Sequence, residues 1–87
     1  MIFVTVWSYA PENRDAIQAR FKATGGPPPA GVKMLGRWHA VGGGKGVVVV
    51  ESNDPKAIAK WTQEWSDLMS FESYPVLDDG AMAQVIT

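Results

Sequence analysis

The chain has 87 residues, enough for one domain, and we expect residues 1–87 to fold as a single unit. Its net charge is −1 and it has no cysteine, which excludes disulfide bonds, thiolate metal sites and the basic surface of a nucleic-acid-binding protein. Four Trp, three Phe and two Tyr are many large side chains for so small a core. We therefore expect some of these rings to contact a partner or a ligand.

An apolar segment at the start of the chain predicts a strand over Ile2–Ser8. Both of its sides are largely apolar, which favours a central position in a sheet. The segment lacks the basic flank and long apolar run of a signal peptide, and no apolar run approaches the roughly 20 residues that span a membrane. We therefore expect a cytoplasmic protein with no membrane partner.

A first helix is predicted over Glu12–Thr24. Pro11 suits the first turn of this helix, and the pair Gly25-Gly26 ends it. Ile17 and Phe21 lie four residues apart, which places both on the face that we expect to be buried.

The stretch Val32–Glu51 predicts a β-hairpin, because two apolar runs flank the glycine-rich tip Gly42–Gly46. We expect Val41 to lie opposite Gly46, so that both faces of the hairpin are apolar. The four consecutive valines of the second arm favour a strand that is buried on both sides. One predicted face carries Met34, Trp38, Ala40, Val47 and Val49, and the other carries Leu35, Arg37, His39, Val41, Val48 and Val50.

Asp54 and Pro55 predict the start of a second helix, as its N-cap and its first helical residue. Ile58, Trp61 and Trp65 recur at helical spacing and form one wide apolar face.

The segment Asp67–Leu77 reads as a fourth strand, in which Phe71 and Tyr74 fall on opposite sides. Pro75 has no N–H to donate, so this strand belongs at an edge of the sheet or ends there. A short helix from Ala81 to about Ile86 completes the predicted chain.

The predicted order is β-α-β-β-α-β plus a tail helix, which is the α+β, ferredoxin-like arrangement with a four-stranded antiparallel sheet. Two helices cover only one face of such a sheet, yet both faces carry apolar side chains. We therefore expect a homodimer in which two copies pack sheet to sheet. The alternative is that the tail helix or long loops cover the second face within one chain.

Six short motifs are spread along the chain: Val6-Trp7-Ser8, Pro11–Arg14, Thr24–Pro29, Gly36–His39, Glu64–Leu68 and Pro75–Asp79. Together they resemble those of a small family of bacterial domains of unknown function in the dimeric α/β-barrel superfamily. The resemblance implies the ferredoxin-like fold and the sheet-to-sheet dimer. The wider superfamily contains cofactor-free monooxygenases, decarboxylating and isomerising enzymes, haem-handling proteins and non-catalytic stress proteins. These groups use different residues, so no catalytic residue carries over.

His39 is the only histidine, and so the only side chain whose ordinary pKa suits acid–base chemistry near neutrality. It shares a predicted strand face with Arg37. We interpret His39 as a candidate general base or hydrogen-bond donor, and Arg37 as a group that holds an anionic or carbonyl oxygen. The alternative is that both are structural hydrogen-bonding groups at the dimer seam. One histidine without nearby acidic residues does not make a metal site, and no cofactor is expected.

The large aromatic residues suggest an apolar pocket between helix and sheet. We assign Trp7, Trp61 and Trp65 to its wall, together with Phe71 and Tyr74, and we expect Tyr74 to offer its hydroxyl to a bound oxygen. The alternative for the tryptophans is ordinary core packing.

Two further sites are not supported by the sequence. The segment Gly42–Gly46 lacks the Gly-Lys-Ser/Thr sequence and the following helix of a phosphate-binding loop, so a mobile hairpin tip is the better interpretation. The ferredoxin-like fold also hosts RNA-binding domains, but the acidic charge balance argues against that function.

The sequence therefore leads to a dimeric small-molecule-binding domain, with the possibility of a cofactor-independent enzyme that acts on an apolar or aromatic metabolite. The alternative is a non-catalytic dimeric module with a structural or regulatory role.

Overall fold

Seven elements follow one another in the order βαββαβα in the computed structural model, which describes all 87 residues. A single 3₁₀ turn, Pro11–Asn13, precedes the first α-helix. The order confirms the predicted ferredoxin-like α+β fold with a short terminal helix. The elements are β1 (Ile2–Ser8), α1 (Arg14–Thr24), β2 (Lys33–His39), β3 (Lys45–Glu51), α2 (Pro55–Gln63), β4 (Ser70–Val76) and α3 (Asp79–Val85).

The four strands form one antiparallel sheet in the order β2-β3-β1-β4. The apolar strands β1 and β3 are central, and Pro75 lies in the edge strand β4, as its missing N–H requires. The Asp54 carboxylate caps α2 by accepting hydrogen bonds from the backbone N–H groups of Lys56 and Ala57. The longest helix, α1, has 11 residues, and no helix combines the length and apolar character that crossing a membrane requires.

The two faces of the sheet differ in burial. The helix-facing side carries the core, a cluster under α2 in which Val50 is 0% exposed. No residue of the opposite side, which we call the open face, is buried. Trp38 there is 58% exposed, and the tail helix does not cover it. The core cluster consists of Phe3, Val32, Val48, Val50, Ala57, Ile58 and Trp61.

The hairpin differs from its predicted register by two residues, because His39 rather than Val41 lies opposite Gly46. A shift of two residues preserves the faces, so Trp38 and Val49 still share the open face. Ala40 and Val41 therefore belong to the loop and not to β2. The loop is closed by a hydrogen bond from the N–H of Gly43 to the carbonyl of Ala40 at 2.9 Å.

A β-bulge between Met34 and Gly36 reverses the predicted sides at the start of β2. Met34 packs against the core cluster, and Leu35 is exposed, the opposite of the predicted arrangement. The alternation of a strand holds only while the pairing is regular, and one extra residue exchanges the two faces.

Candidate functional site

A cavity of about 490 Å³ lies between the helices and the helix-facing side of the sheet. This volume falls within the range of roughly 300–1,000 Å³ that is typical of small-molecule sites. Helix α1 roofs part of it and contributes only one buried residue, Ile17, so the space below the helix is not filled by the helix itself. The aromatic side chains that line the cavity are Trp7, Tyr9, Phe21, Trp61, Trp65 and Phe71.

One row of residues across the sheet contributes to the floor of the cavity. His39, Gly46, Trp7 and Phe71 are direct neighbours on β2, β3, β1 and β4. Gly46 has no side chain, so the indole of Trp7 lies over it; a Cβ atom there would fall 2.0 Å from Trp7 Cζ2. Because the indole crosses β3, its ring centroid is 5.5 Å from that of His39. The glycine therefore brings an aromatic ring and the imidazole together.

His39 is among the residues that line the cavity. Its imidazole is exposed and packs edge-on against the rings of Trp7 and Phe21, each at a centroid distance of 5.5 Å. His39 therefore lies on the helix-facing side of the sheet and not on the open face.

Arg37 also faces the cavity, two residues before His39 on β2, and so it is not on the open face of the sheet either. Its guanidinium donates hydrogen bonds to the carbonyls of Gly26 at 2.6 Å and Gly25 at 2.9 Å, at the end of α1. It also lies over the ring of Phe21, 4.9 Å from the centroid. Burial lowers the pKa of Arg37 below its ordinary value. This residue therefore fastens α1 over the cavity as well as lining it.

The structure brings together four of the five aromatic residues that the sequence assigned to the pocket. Trp7 and Phe71 lie on its floor. Trp61 in α2 and Trp65, two residues after the end of α2, form a wall. Both interpretations of Trp61 hold, since this ring is buried in the core cluster and also lines the cavity.

The sequence assigned Tyr74 to the pocket wall, and the structure places it elsewhere. It lies opposite Val4 on the open face and is 46% exposed, so the structure does not bring its hydroxyl into the cavity. The reason is the alternation of β4, because a strand that points Phe71 towards the helices points Tyr74 away from them.

Tyr9 lines the cavity instead, and the sequence reasoning missed it. Its N–H donates to the carbonyl of Gly44 at 3.0 Å, which continues the strand pairing of β1 by one residue. The signal was present, since Tyr9 follows Trp7 at the period of two that β1 uses on this side. Thr5, also missed, lines the cavity, and its Oγ1 lies 2.7 Å from Oγ of Ser73.

Comparison with known proteins identifies the family. Residues 1–87 match the family described as Domain of unknown function (DUF3303). The chain belongs to the DUF3303 family. This confirms the resemblance to a family of unknown function that the sequence motifs carry. No curated protein matches the sequence.

Two solved bacterial structures share the fold of this DUF3303 domain. One is Rv0793 from Mycobacterium tuberculosis, with a TM-score of 0.53 and 16% identity over 90% of this chain and 96% of that one. The other is a proposed antibiotic biosynthesis monooxygenase from Deinococcus radiodurans, with a TM-score of 0.50 and 10% identity over 90% of this chain and 94% of that one. At these identities the likeness shows the ferredoxin-like fold alone.

Polar contacts at its edge hold α1 of the DUF3303 domain over the cavity. Arg20 makes two hydrogen bonds to the Asp67 carboxylate, at 2.9 and 2.8 Å, and a third to the carbonyl of Glu64. The Asn13 amide donates to the carbonyl of Leu68 at 3.1 Å. These contacts join α1 and the turn before it to the segment between α2 and β4, and they supplement the small apolar contact that α1 makes through its one buried residue, Ile17.

Asp67→Asn is expected to weaken this attachment in a pH-dependent way. The hydrogen bonds from Arg20 lower the pKa of the Asp67 carboxyl below its ordinary value of 3.8. A lowered pKa means that the pair stabilises the fold above that value and that the contribution is lost as the pH falls below it. Urea unfolding of both proteins should therefore show a lower midpoint for the variant at pH 7 and the same midpoint at the acid end. A difference that persists at low pH would contradict this assignment.

Proposed function

We propose that this DUF3303 domain binds a small apolar or aromatic molecule in the cavity between its helices and its sheet. The observation that carries the proposal is the lining of the cavity by six aromatic side chains, with Arg37 and His39 as polar groups on one strand. Aromatic walls with a few placed polar groups are typical of small-molecule sites. The D. radiodurans structure, described as a proposed antibiotic biosynthesis monooxygenase, is compatible with such a ligand.

Calorimetric titration with a neutral two-ring aromatic probe, 2-naphthamide, tests this proposal. Phe71→Leu and Tyr74→Leu form a matched pair, because both residues lie on β4 and only Phe71 faces the cavity. We expect binding to the native domain, a loss of about fivefold in affinity for Phe71→Leu from the lost ring contacts, and no change for Tyr74→Leu. Absence of binding by the native domain would favour the alternative, a non-catalytic dimeric module.

A cofactor-independent enzyme is the second candidate function. It is favoured by the position of His39, whose exposed imidazole lines the cavity and contacts the rings of Trp7 and Phe21. An imidazole there is able to take a proton from a bound ligand or to donate a hydrogen bond to it.

We also propose that two copies of the chain associate through their open faces. Four strands of seven residues present a face of roughly 400 Å², which is comparable to the largest apolar patch of about 300–600 Å² on a typical soluble protein, and such patches are often interaction sites. Val4, Val6, Val47 and Val49 lie at its centre, with Trp38 and Tyr74 beside them. A two-fold pairing of this surface with itself would bury all of these side chains.

A further inference from the structure

We propose that the cavity selects an aromatic molecule that carries an anionic group, a carboxylate or a comparable oxyanion, and that Arg37 binds this group. The inference rests on the proposed binding function and adds the charge of the ligand to it. It begins from the charged side chains along the cavity wall. Arg37 is the only arginine among the residues that line the cavity, and these residues include no Asp, Glu or Lys.

The guanidinium has no carboxylate partner within the chain. The two ion pairs are Arg14 with Asp15 and Arg20 with Asp67, and neither involves Arg37. Its two hydrogen bonds go to backbone carbonyls at the end of α1. Backbone carbonyls carry no net charge, so these hydrogen bonds leave the positive charge of Arg37 without a counter-ion in the chain.

The surroundings of Arg37 make this charge effective towards a ligand. The side chain is half-buried and one of its faces is covered by Phe21, so water screens it less than it screens a surface arginine. A guanidinium has five N–H donors, and two of them are used, which leaves three without a hydrogen-bond partner in the chain. Carboxylates match the geometry of these donors, and no acidic side chain lines the cavity to repel them.

Calorimetric titration of the native domain with 2-naphthoate and 2-naphthamide tests the inference, because the two probes share their ring system and differ in charge. We expect 2-naphthoate to bind about tenfold more tightly or better, and this preference to shrink in high salt. Equal affinity, or tighter binding of the amide, would overturn the inference and leave the proposed function intact. Absence of binding by both probes would overturn the proposed function itself.

Variants of Arg37 test whether this residue is the source of the preference for 2-naphthoate. Arg37→Gln is expected to remove the preference for 2-naphthoate and to retain 2-naphthamide binding, whereas Arg37→Lys keeps part of the preference. Arg14→Gln is the control, because Arg14 lies outside the cavity. An unchanged preference in Arg37→Gln would contradict the role of Arg37. Since Arg37 also fastens α1, circular dichroism must show that each variant is folded, and the comparison of the two probes on the native domain stands independently of the variants.

Discussion

Replacing Val49 by aspartate is expected to turn the proposed dimer into a folded monomer. Val49 lies in the central strand β3, on the open face between Val4 of β1 and Gly36 of β2. In a monomer the new carboxylate remains in contact with water, so the fold keeps most of its stability. In a dimer it would be buried against a second apolar sheet, where an unpaired charge is strongly unfavourable. Light scattering should then report about 9.4 kDa, the mass of one chain.

Val50→Ala is the matched control for this prediction, one residue further along the same strand. Val50 points to the helices and is 0% exposed, so the substitution removes two buried methyl groups from the core. We expect it to lower the free energy of unfolding by roughly 2 kcal/mol and to leave self-association unchanged. A dimeric Val49→Asp protein, or a native protein that stays monomeric at high concentration, would contradict the proposed use of the open face.

The sequence predicted the fold because each element carries its own local signal. Asp54 and Pro55 mark the start of α2, Gly25 ends α1 in the left-handed conformation at φ 76°, and the valine run of β3 indicates a central strand. Such signals depend on a few neighbouring residues. They are therefore legible without knowledge of what packs against them.

The placement of side chains around the site was harder to predict, because it depends on pairing between distant segments. The bulge after Met34 exchanges the sides of β2, and no local property of that residue indicates it. The hydrogen bonds from Arg37 to the carbonyls of Gly25 and Gly26 form only because the end of α1 lies above β2, which is a tertiary contact. The error at Tyr74 differs in kind, since the alternation of β4 already separated it from Phe71, and the same alternation on β1 would have indicated Tyr9.

Gly46→Ala is expected to disturb the cavity more than a single methyl group would suggest. The new Cβ atom would lie 2.0 Å from Cζ2 of Trp7. The indole must then move by roughly 1–2 Å to restore ordinary contact distances. This movement would remove its edge contact with the His39 ring. Overpacking of this kind costs about 1–3 kcal/mol, more than the roughly 0.4–1 kcal/mol that alanine gains over glycine through the unfolded state. We expect lower stability in urea and about tenfold weaker binding of the naphthyl probes.

Gly36→Ala provides a control with the same local chemistry on the other face of the sheet. There the ring of Trp38 covers the glycine, and a Cβ atom would lie 2.3 Å from its Cη2 atom. Trp38 is 58% exposed, so its ring is free to swing into water, and we expect an altered open face with weaker self-association but unchanged ligand binding. If both variants changed ligand binding equally, the two faces would not be separate in function. If Gly46→Ala left binding of the naphthyl probes unchanged, the position of the Trp7 ring would not determine ligand binding. Arg37 and the residues of α2 that line the cavity would then determine which ligand binds.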